Sequence, residues 1–287
     1  MSLEVKDVSH IFQNGTPFAQ EALKGVSFSV KKGEIVGIMG KTGSGKSTLL
    51  QAMGGLLRPS SGTVLVDGED IYKLKKKEIS RIRQKVGIVF QYPEHQIFEL
   101  TVYDEIAFGP RNMDMGPETV RILVEKALAD VGLSFEAFKG RKTYTLSSGE
   151  KRKVAIASIL ALDTPYLLLD EPTAGLDYEA STQLMGYLVK LKQTKNTTII
   201  IVSHNSAHIF PIADRLMLLD QGRIVTANDP VHWQEAFRER QSYLPQACQL
   251  VMHLNQRGWG LTPYATTAEE VAEQITEVIS ARKTKLL

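Results

Sequence analysis

Ile35-Val36-Gly37-Ile38-Met39-Gly40-Lys41-Thr42-Gly43-Ser44-Gly45-Lys46-Ser47-Thr48 is the stretch on which the reading of this chain turns. Its first five residues form a nearly unbroken apolar run, the pattern of a short strand buried on both faces. From Gly40 the sequence fits G-x-x-x-x-G-K-[ST], and a helical stretch follows over residues 46–57. Strand, glycine-rich loop and helix in that order are the context in which this pattern binds phosphate, whereas alone it is an ordinary turn before a helix. Gly40, Gly43 and Gly45 let backbone N–H groups, including those of Lys41, Thr42 and Ser44, close around phosphate oxygens. The helix starting near Lys46 directs the positive end of its dipole at them. Lys46 is expected to reach the β- and γ-phosphates of ATP, Ser47 to offer a hydroxyl to Mg2+, and Thr48 to contact the α-phosphate side.

Further along, Leu167-Leu168-Leu169-Asp170-Glu171 places two carboxylates at the end of another apolar run. In open α/β sheets ligands sit at the carboxyl ends of strands. Asp170 is suited to hold Mg2+ through water or Ser47, and Glu171, one residue on, to polarise an attacking water as general base. A strand that merely ends in solvated acids has the same composition. His204 follows a third apolar run, residues 198–203, and is a candidate to contact the γ-phosphate and the water. By itself it reads equally as a packed or capping histidine.

The rest of the chain supplies a scaffold for such a site. Leu3, Val5 and Val8, then Val26, Phe28 and Val30, alternate with polar residues as half-solvated antiparallel strands do. Residues 86–90 and 166–169 are further short apolar runs, separated by helical stretches at 117–131 and 149–162. A wrapped α/β sheet is the economical arrangement. Residues 216–219, the turn Asp220-Gln221-Gly222 and residues 223–225 read as a hairpin closing that core. Beyond residue 227 the chain becomes a helical tail containing Trp233, Pro245, Trp259 and Pro263, with an amphipathic run over 268–279. The expected division is therefore 1–227 and 228–287.

Composition narrows the classes of function. The 287 residues are 43% apolar and 23% charged with a net charge of +2, ordinary globular usage without a global footprint for nucleic acid. A single cysteine, Cys248, cannot form an intramolecular disulfide and fits a reducing compartment. The first residues lack a signal-peptide pattern, and no apolar run approaches the roughly 18–20 residues of a membrane-spanning helix. If membranes matter, a partner is expected to do the spanning.

A phosphate loop with an acidic strand end also suits a small-molecule kinase or a GTPase. Leu146-Ser147-Ser148-Gly149-Glu150, shortly upstream of the strand ending in Asp170, resembles the LSGGQ signature of ABC ATPases. Gln91 resembles that family's Q-loop glutamine, Ala174-Gly175-Leu176-Asp177 its D-loop, and His204 its switch histidine, over residues 3–227. The resemblance implies a P-loop NTPase of ABC type: an α/β core with an antiparallel β subdomain, a helical signature subdomain at about 92–162, and here a C-terminal helical extension that contacts a partner ATPase. It implies Mg2+ held by Ser47, Gln91 and Asp170, and a head-to-tail pair in which residues 146–150 face the ATP of the other subunit. The same segment is also a capping box, since Ser147-x-x-Glu150 precedes an apolar run. Ser148 and Glu150 depart from the signature and are expected to add bulk and negative charge near a triphosphate. Phe12, with His10 second, lies where family members stack an aromatic on adenine, though Phe12 reads equally as core.

Phe90-Gln91-Tyr92-Pro93-Glu94-His95-Gln96, followed by Phe98-Glu99 and Ala107-Phe108-Gly109-Pro110, resembles ATPases of energy-coupling-factor importers, the second of the two paired types. That implies a heterodimer at the cytoplasmic face of the membrane, an integral membrane coupling subunit, a substrate-binding membrane subunit, and vitamins or some metal ions as cargo. Residues 91–105 would then line a groove for cytoplasmic helices, with Glu94 and Glu99 meeting basic residues or simply solvated. An ATPase of a cobalt/nickel-type importer is the alternative. A soluble ABC protein acting on DNA or ribosomes would carry coiled-coil insertions, a duplicated cassette or basic linkers, and none is present.

Overall fold

The computed structural model describes residues 2–227, 243–262, 265 and 267–284. Trp233 and Pro263, and the part of the expected tail at 228–242, lie outside the described residues. Two sheets organise the chain. Strands β1 (Ser2–Phe12), β2 (Gln20–Lys31), β4 (Ser61–Val66) and β5 (Glu69–Asp70) form an antiparallel sheet in the order β2-β1-β4-β5. In β1 the alternation of Leu3 and Val5 resumes only at Val8, because the register shifts between Val5 and Val8 around Asp7, whose φ is +49°. The irregularity keeps all three side chains on the buried face.

The second sheet holds β3 (Ile35–Met39), β6 (Val86–Val89), β7 (Tyr166–Asp170), β8 (Thr198–Ser203), β9 (Arg215–Asp220) and β10 (Arg223–Ala227), ordered β10-β9-β3-β8-β7-β6. All neighbours are parallel except β10, which pairs antiparallel to β9 through the hairpin. Every residue of β3, β7 and β8 is buried, as a parallel strand covered on both faces requires. Successive side chains point to opposite faces and so feed two cores. Val36, Ile38, Leu168, Ile200 and Val202 share a core with the antiparallel sheet, helix α1 (Lys46–Met53) and Ile82 of α2 (Lys76–Arg83). Ile35, Met39, Leu167, Leu169, Ile199 and Ile201 meet α3 (Val102–Asn112), α4 (Pro117–Asp130), α6 (Ser148–Leu160) and α7 (Tyr178–Lys195), with the short α5 (Phe135–Phe138) packed against the same core. Each fully buried aliphatic contributes roughly 1.5–3 kcal/mol.

Element ends differ from the sequence reading by a few residues. The first helix stops at Met53 because Gly54 caps it and Gly55 takes φ +70°, which turns Leu56 outward. The helix Gln246–Gln256 sits at a junction, with Leu244 and Cys248 in the larger core while Val251 joins Leu261, Ala265 and Val271 in a separate small cluster. Val271 belongs to the helix Ala268–Thr284, which includes the amphipathic run. No helix among the described residues is long and apolar enough to cross a membrane.

Candidate active site

The strand order explains why distant motifs converge. β8 lies between β3 and β7, with Met39 paired to Ser203 and Asp170 to Val202, so the three strands end at one edge. The loop leaving β3 is held tightly there. A Cβ at Gly40 would stand 2.4 Å from the Leu219 carbonyl oxygen, and one at Gly45, whose φ is +103°, 2.4 Å from that of Ala22. Neither position admits another residue without displacing backbone. Gly222, at the hairpin turn, donates its N–H to the Ser44 carbonyl at 3.1 Å and buttresses the loop. Gly43, by contrast, faces open space. Lys46 is buried, with Nζ donating to the carbonyls of Gly40 (2.8 Å) and Lys41 (3.0 Å). The buried Ser44 hydroxyl has no hydrogen-bond partner, as expected of a loop built to receive an anion. Lys41, Thr42 and Ser47 are exposed and Thr48 is half-buried on α1.

Both carboxylates are buried. Burial, reinforced by the Glu171 charge, raises the Asp170 carboxyl above its ordinary range against the opposing hydrogen bond from Ser47 and the charge of Lys46. Burial also lowers the Lys46 ammonium, opposed by the charges of Glu171 and Asp170. Glu171 takes φ +49°, a left-handed conformation that the surroundings must enforce on a non-glycine residue. The end of β8 does so: the Glu171 N–H donates to the Val202 carbonyl at 2.8 Å, and the Glu171 Oε2 accepts from Ser203 Oγ at 2.6 Å. Its Oε1 accepts from the His204 N–H at 2.9 Å and lies 2.7 Å from His204 Nδ1. The His204 side chain is otherwise 67% exposed.

Residues 146–150 stand apart from this cluster, at the start of α6. Leu146 is buried, while Ser147 and Ser148 are exposed. Ser147 Oγ accepts from the Glu150 N–H at 3.2 Å and Glu150 Oε2 from the Ser147 N–H at 2.8 Å, so the capping box is formed. Glu150 corrects one expectation. Its carboxylate is paired with Arg141 at 2.7 Å, and is not a bare negative charge at the helix start. Glu94 corrects another. It turns inward toward Arg152 on α6, Oε2 to Nη1 at 3.7 Å, because a guanidinium only 3% exposed requires a counter-charge. Arg152 also donates to the Glu171 carbonyl at 3.0 Å, tying α6 and the segment after β6 to the strand end that carries the carboxylates.

Gln91 is exposed just past β6, beside Tyr92, whose φ is +58°. Asp177 caps α7, Oδ1 accepting from the Ala180 N–H at 2.7 Å. Phe12 ends β1 on the other sheet, 40% exposed, with its ring edge-on to His10 at 4.5 Å. His10 is buried, which leaves Phe12 as the ring open to a ligand. On the segment after Gln91, Phe98, Leu100 and Phe108 are exposed, and Phe98 meets Phe108 edge-on at 4.8 Å. Buried Glu105 fixes that segment by accepting from the N–H groups of Phe98 (3.1 Å) and Glu99 (2.8 Å).

A family model described as ABC transporter matches residues 23–174, just over half of the chain. The chain belongs to the ABC transporter family. It also matches curated energy-coupling factor transporter ATP-binding proteins, called EcfA2, along nearly its whole length. The match to the protein of Symbiobacterium thermophilum is 43% identical over 99% of this chain and 98% of that one. For Caldanaerobacter subterraneus the figures are 41%, 99% and 99%. These relatives place it among the energy-coupling factor ATPases. Among solved structures, a dimeric ATP-binding cassette in a post-hydrolysis state bound to ADP and Pi superposes with TM-score 0.72 and 31% identity, covering 79% of this chain and 98% of that one. CbiO1 from Clostridium perfringens, part of the ABC transporter complex CbiONQ, gives 0.72 and 35% over 89% and 96%.

Four residues that shape the site were not singled out from sequence. Ser203 reads as the last residue of an apolar strand, Arg141 as a loop charge, Arg152 as the middle of the solvated run Lys151-Arg152-Lys153, and Tyr92 as one more residue of the resemblance to importer ATPases. Only its spacing of three and four residues from Ala155 and Ile156, on a buried face of the helix, could have marked Arg152 as unusual.

Proposed function

We propose that this chain binds and hydrolyses ATP as one of two paired ATPases that energise an energy-coupling-factor importer of vitamins or related micronutrients, peripheral at the cytoplasmic face of the membrane. The observation that carries the mechanism is the Glu171 carboxylate, pinned by Ser203 and His204 at the ends of adjacent strands beside Lys46 and Asp170. Glu171 takes the proton of the attacking water, and His204 orients the γ-phosphate and that water. Lys46 moves from the loop carbonyls to phosphate oxygens, while the loop N–H groups hold the rest of the chain of phosphates. The donor set also fits a divalent cation: Asp170 is a buried carboxylate whose ionised form lacks sufficient compensating charge, next to the Ser47 hydroxyl. Ser47 and Asp170, with Gln91, would hold Mg2+, which when bound neutralises charge on the β- and γ-phosphates. Phe12 stacks on adenine, with His10 behind it.

Residues 146–150 act on the ATP of the second ATPase, with Asp177 lying in the joint between the subunits. The exposed Phe98, Leu100 and Phe108 form the apolar floor on which a cytoplasmic helix of the membrane coupling subunit docks. Cargo is recognised by a further membrane subunit, and residues 228–287 serve as an extension contacting the partner ATPase. The second reading is the cobalt/nickel-type importer that the sequence resemblance leaves as the alternative, with the same ATPase chemistry and another cargo. Mass spectrometry of the subunits copurified in detergent separates the two.

Replacing the base tests the central claim. Glu171→Gln in the assembled complex should retain ATP binding and lower turnover by about 10²–10³-fold. Unchanged steady-state hydrolysis would remove Glu171 from the role of base.

A further inference from the structure

An acidic residue in the first turn of a helix is favourable to the helix and unfavourable to any phosphate that must approach the same turn. Glu150 occupies that position in α6, and two independent features keep it out of the way. Its carboxylate faces Arg141 with both oxygens, Nη1 to Oε1 at 2.7 Å and Nη2 to Oε2 at 3.3 Å, while Oε2 also accepts from the Ser147 N–H. Arg141 is itself fixed from outside α6. Its guanidinium lies 4.6 Å from the Phe138 ring centroid, its N–H donates to the Phe138 carbonyl at 2.9 Å, and its carbonyl accepts from the Val102 N–H at 3.1 Å.

The approach to the helix start is left open. A Cβ at Gly149 would meet nothing within 4 Å, and Ser148 is exposed. The N–H groups of Ser148 and Gly149 are the first two of the helix and have no acceptor within it. The Ser147 hydroxyl accepts from the Glu150 N–H, and its own hydrogen, within reach of the Glu150 carboxylate, can turn to an arriving phosphate. Every donor that a γ-phosphate needs is therefore present, and the one repulsive charge is cancelled by a residue outside the signature.

We propose that Arg141 is a positioning residue for the ATP site that this chain completes in its partner: by holding and neutralising Glu150 it makes an acidic signature compatible with a triphosphate. Arg141 acts through Glu150 and does not touch the nucleotide. The Glu150 carboxyl is accordingly held below the usual glutamate range, chiefly by the Arg141 hydrogen bond and then by the Ser147 N–H. The inference rests on the reading that residues 146–150 face a partner's ATP.

The test uses the assembled ATPase pair and compares hydrolysis as a function of ATP concentration for wild type, Arg141→Ala, and Arg141→Ala combined with Glu150→Gln. Arg141→Ala should raise the half-saturating ATP concentration by about tenfold, with the deficit shrinking as salt is added. Removing the stranded carboxylate in the double variant should recover most of the loss. A double variant as impaired as Arg141→Ala, or a deficit insensitive to salt, would mean that Arg141 supports local folding or contacts phosphate directly, and overturns the proposal. Ser147→Arg serves as the control for the underlying reading. Undiminished turnover with Ser147→Arg would show that residues 146–150 meet no ATP, whereas diminished turnover with Ser147→Arg and none with Arg141→Ala would sink the role of Arg141 alone.

Discussion

The phosphate loop with its strand-end carboxylates and the signature segment, which the proposed function makes two halves of one chemistry, are built in opposite ways. In the first, Gly40, Ser44, Lys46, Asp170 and Glu171 are all buried, and each polar group except the Ser44 hydroxyl and the exposed side of His204 is engaged by neighbouring strand ends. In the second, Ser147 and Ser148 are exposed at the tip of a helix, and the internal contacts there serve to cap that helix and cancel Glu150. A parallel sheet can gather chemistry from residues far apart in sequence because its strands end side by side. A helix start presents its chemistry outward, so under the proposed function the second half acts only when another molecule is brought to it. Among the described residues Arg152 bridges them, reaching from the signature helix to the Glu171 carbonyl and to Glu94.

The largest expected effect comes from breaking the buried half. Lys46→Ala removes the one cation buried at the loop and should lower kcat/KM for ATP by about 10³-fold, the scale of losing a preorganised charge donor together with ground-state binding. Thermal unfolding without nucleotide should shift down by no more than a few degrees, because the buried Gly40 carbonyl loses its donor while, among the described residues, no other element is held through Lys46. Retention of more than about a tenth of wild-type kcat/KM would show that the loop N–H groups suffice.

Breaking the bridge should have a smaller and different effect. Arg152→Met leaves the Glu94 carboxylate without its counter-charge and the Glu171 carbonyl without its donor. Denaturant unfolding should report a loss of about 3 kcal/mol, the range for removing one member of a buried pair. A loss below about 0.5 kcal/mol would show that Glu94 escapes to solvent and that the bridge carries no stability.

The smallest effect lies at the exposed half and is read by pH. The folded carboxyl of Glu150 is lowered, so its pair with Arg141 stabilises the fold above the unfolded glutamate value of about 4.3 and loses that contribution as pH falls through the lowered folded value. Wild type and Glu150→Gln should therefore differ in unfolding midpoint near neutral pH and converge once the pH falls below the lowered folded value. A difference that persists unchanged into that acid range would assign the effect to shape and not to charge.

Much of this molecule was legible without coordinates. The apolar runs at 35–39, 166–169 and 198–202 fixed a parallel sheet because only strands covered on both faces are apolar at every position. The loop at 40–48 announced phosphate because glycines, Lys46 and Ser47 at that spacing have few other uses. Leu146 to Glu150 locate the second half through resemblance, because the residues alone read equally as a capping box.

What escaped the sequence was every assignment that depends on which charge meets which. Glu94 and Glu99 read alike as an acidic loop, yet Glu94 is paired inward and Glu99 is half-buried. Glu150 read as a liability because Arg141, nine residues earlier, carries no local sign of facing it. Ser203 became a ligand of Glu171 only because β8 was inserted between β3 and β7. Local pattern determines which segments bury themselves, since burial is summed over each segment's own side chains. Pairing of charges is a property of two surfaces meeting, and only the tertiary structure decides it.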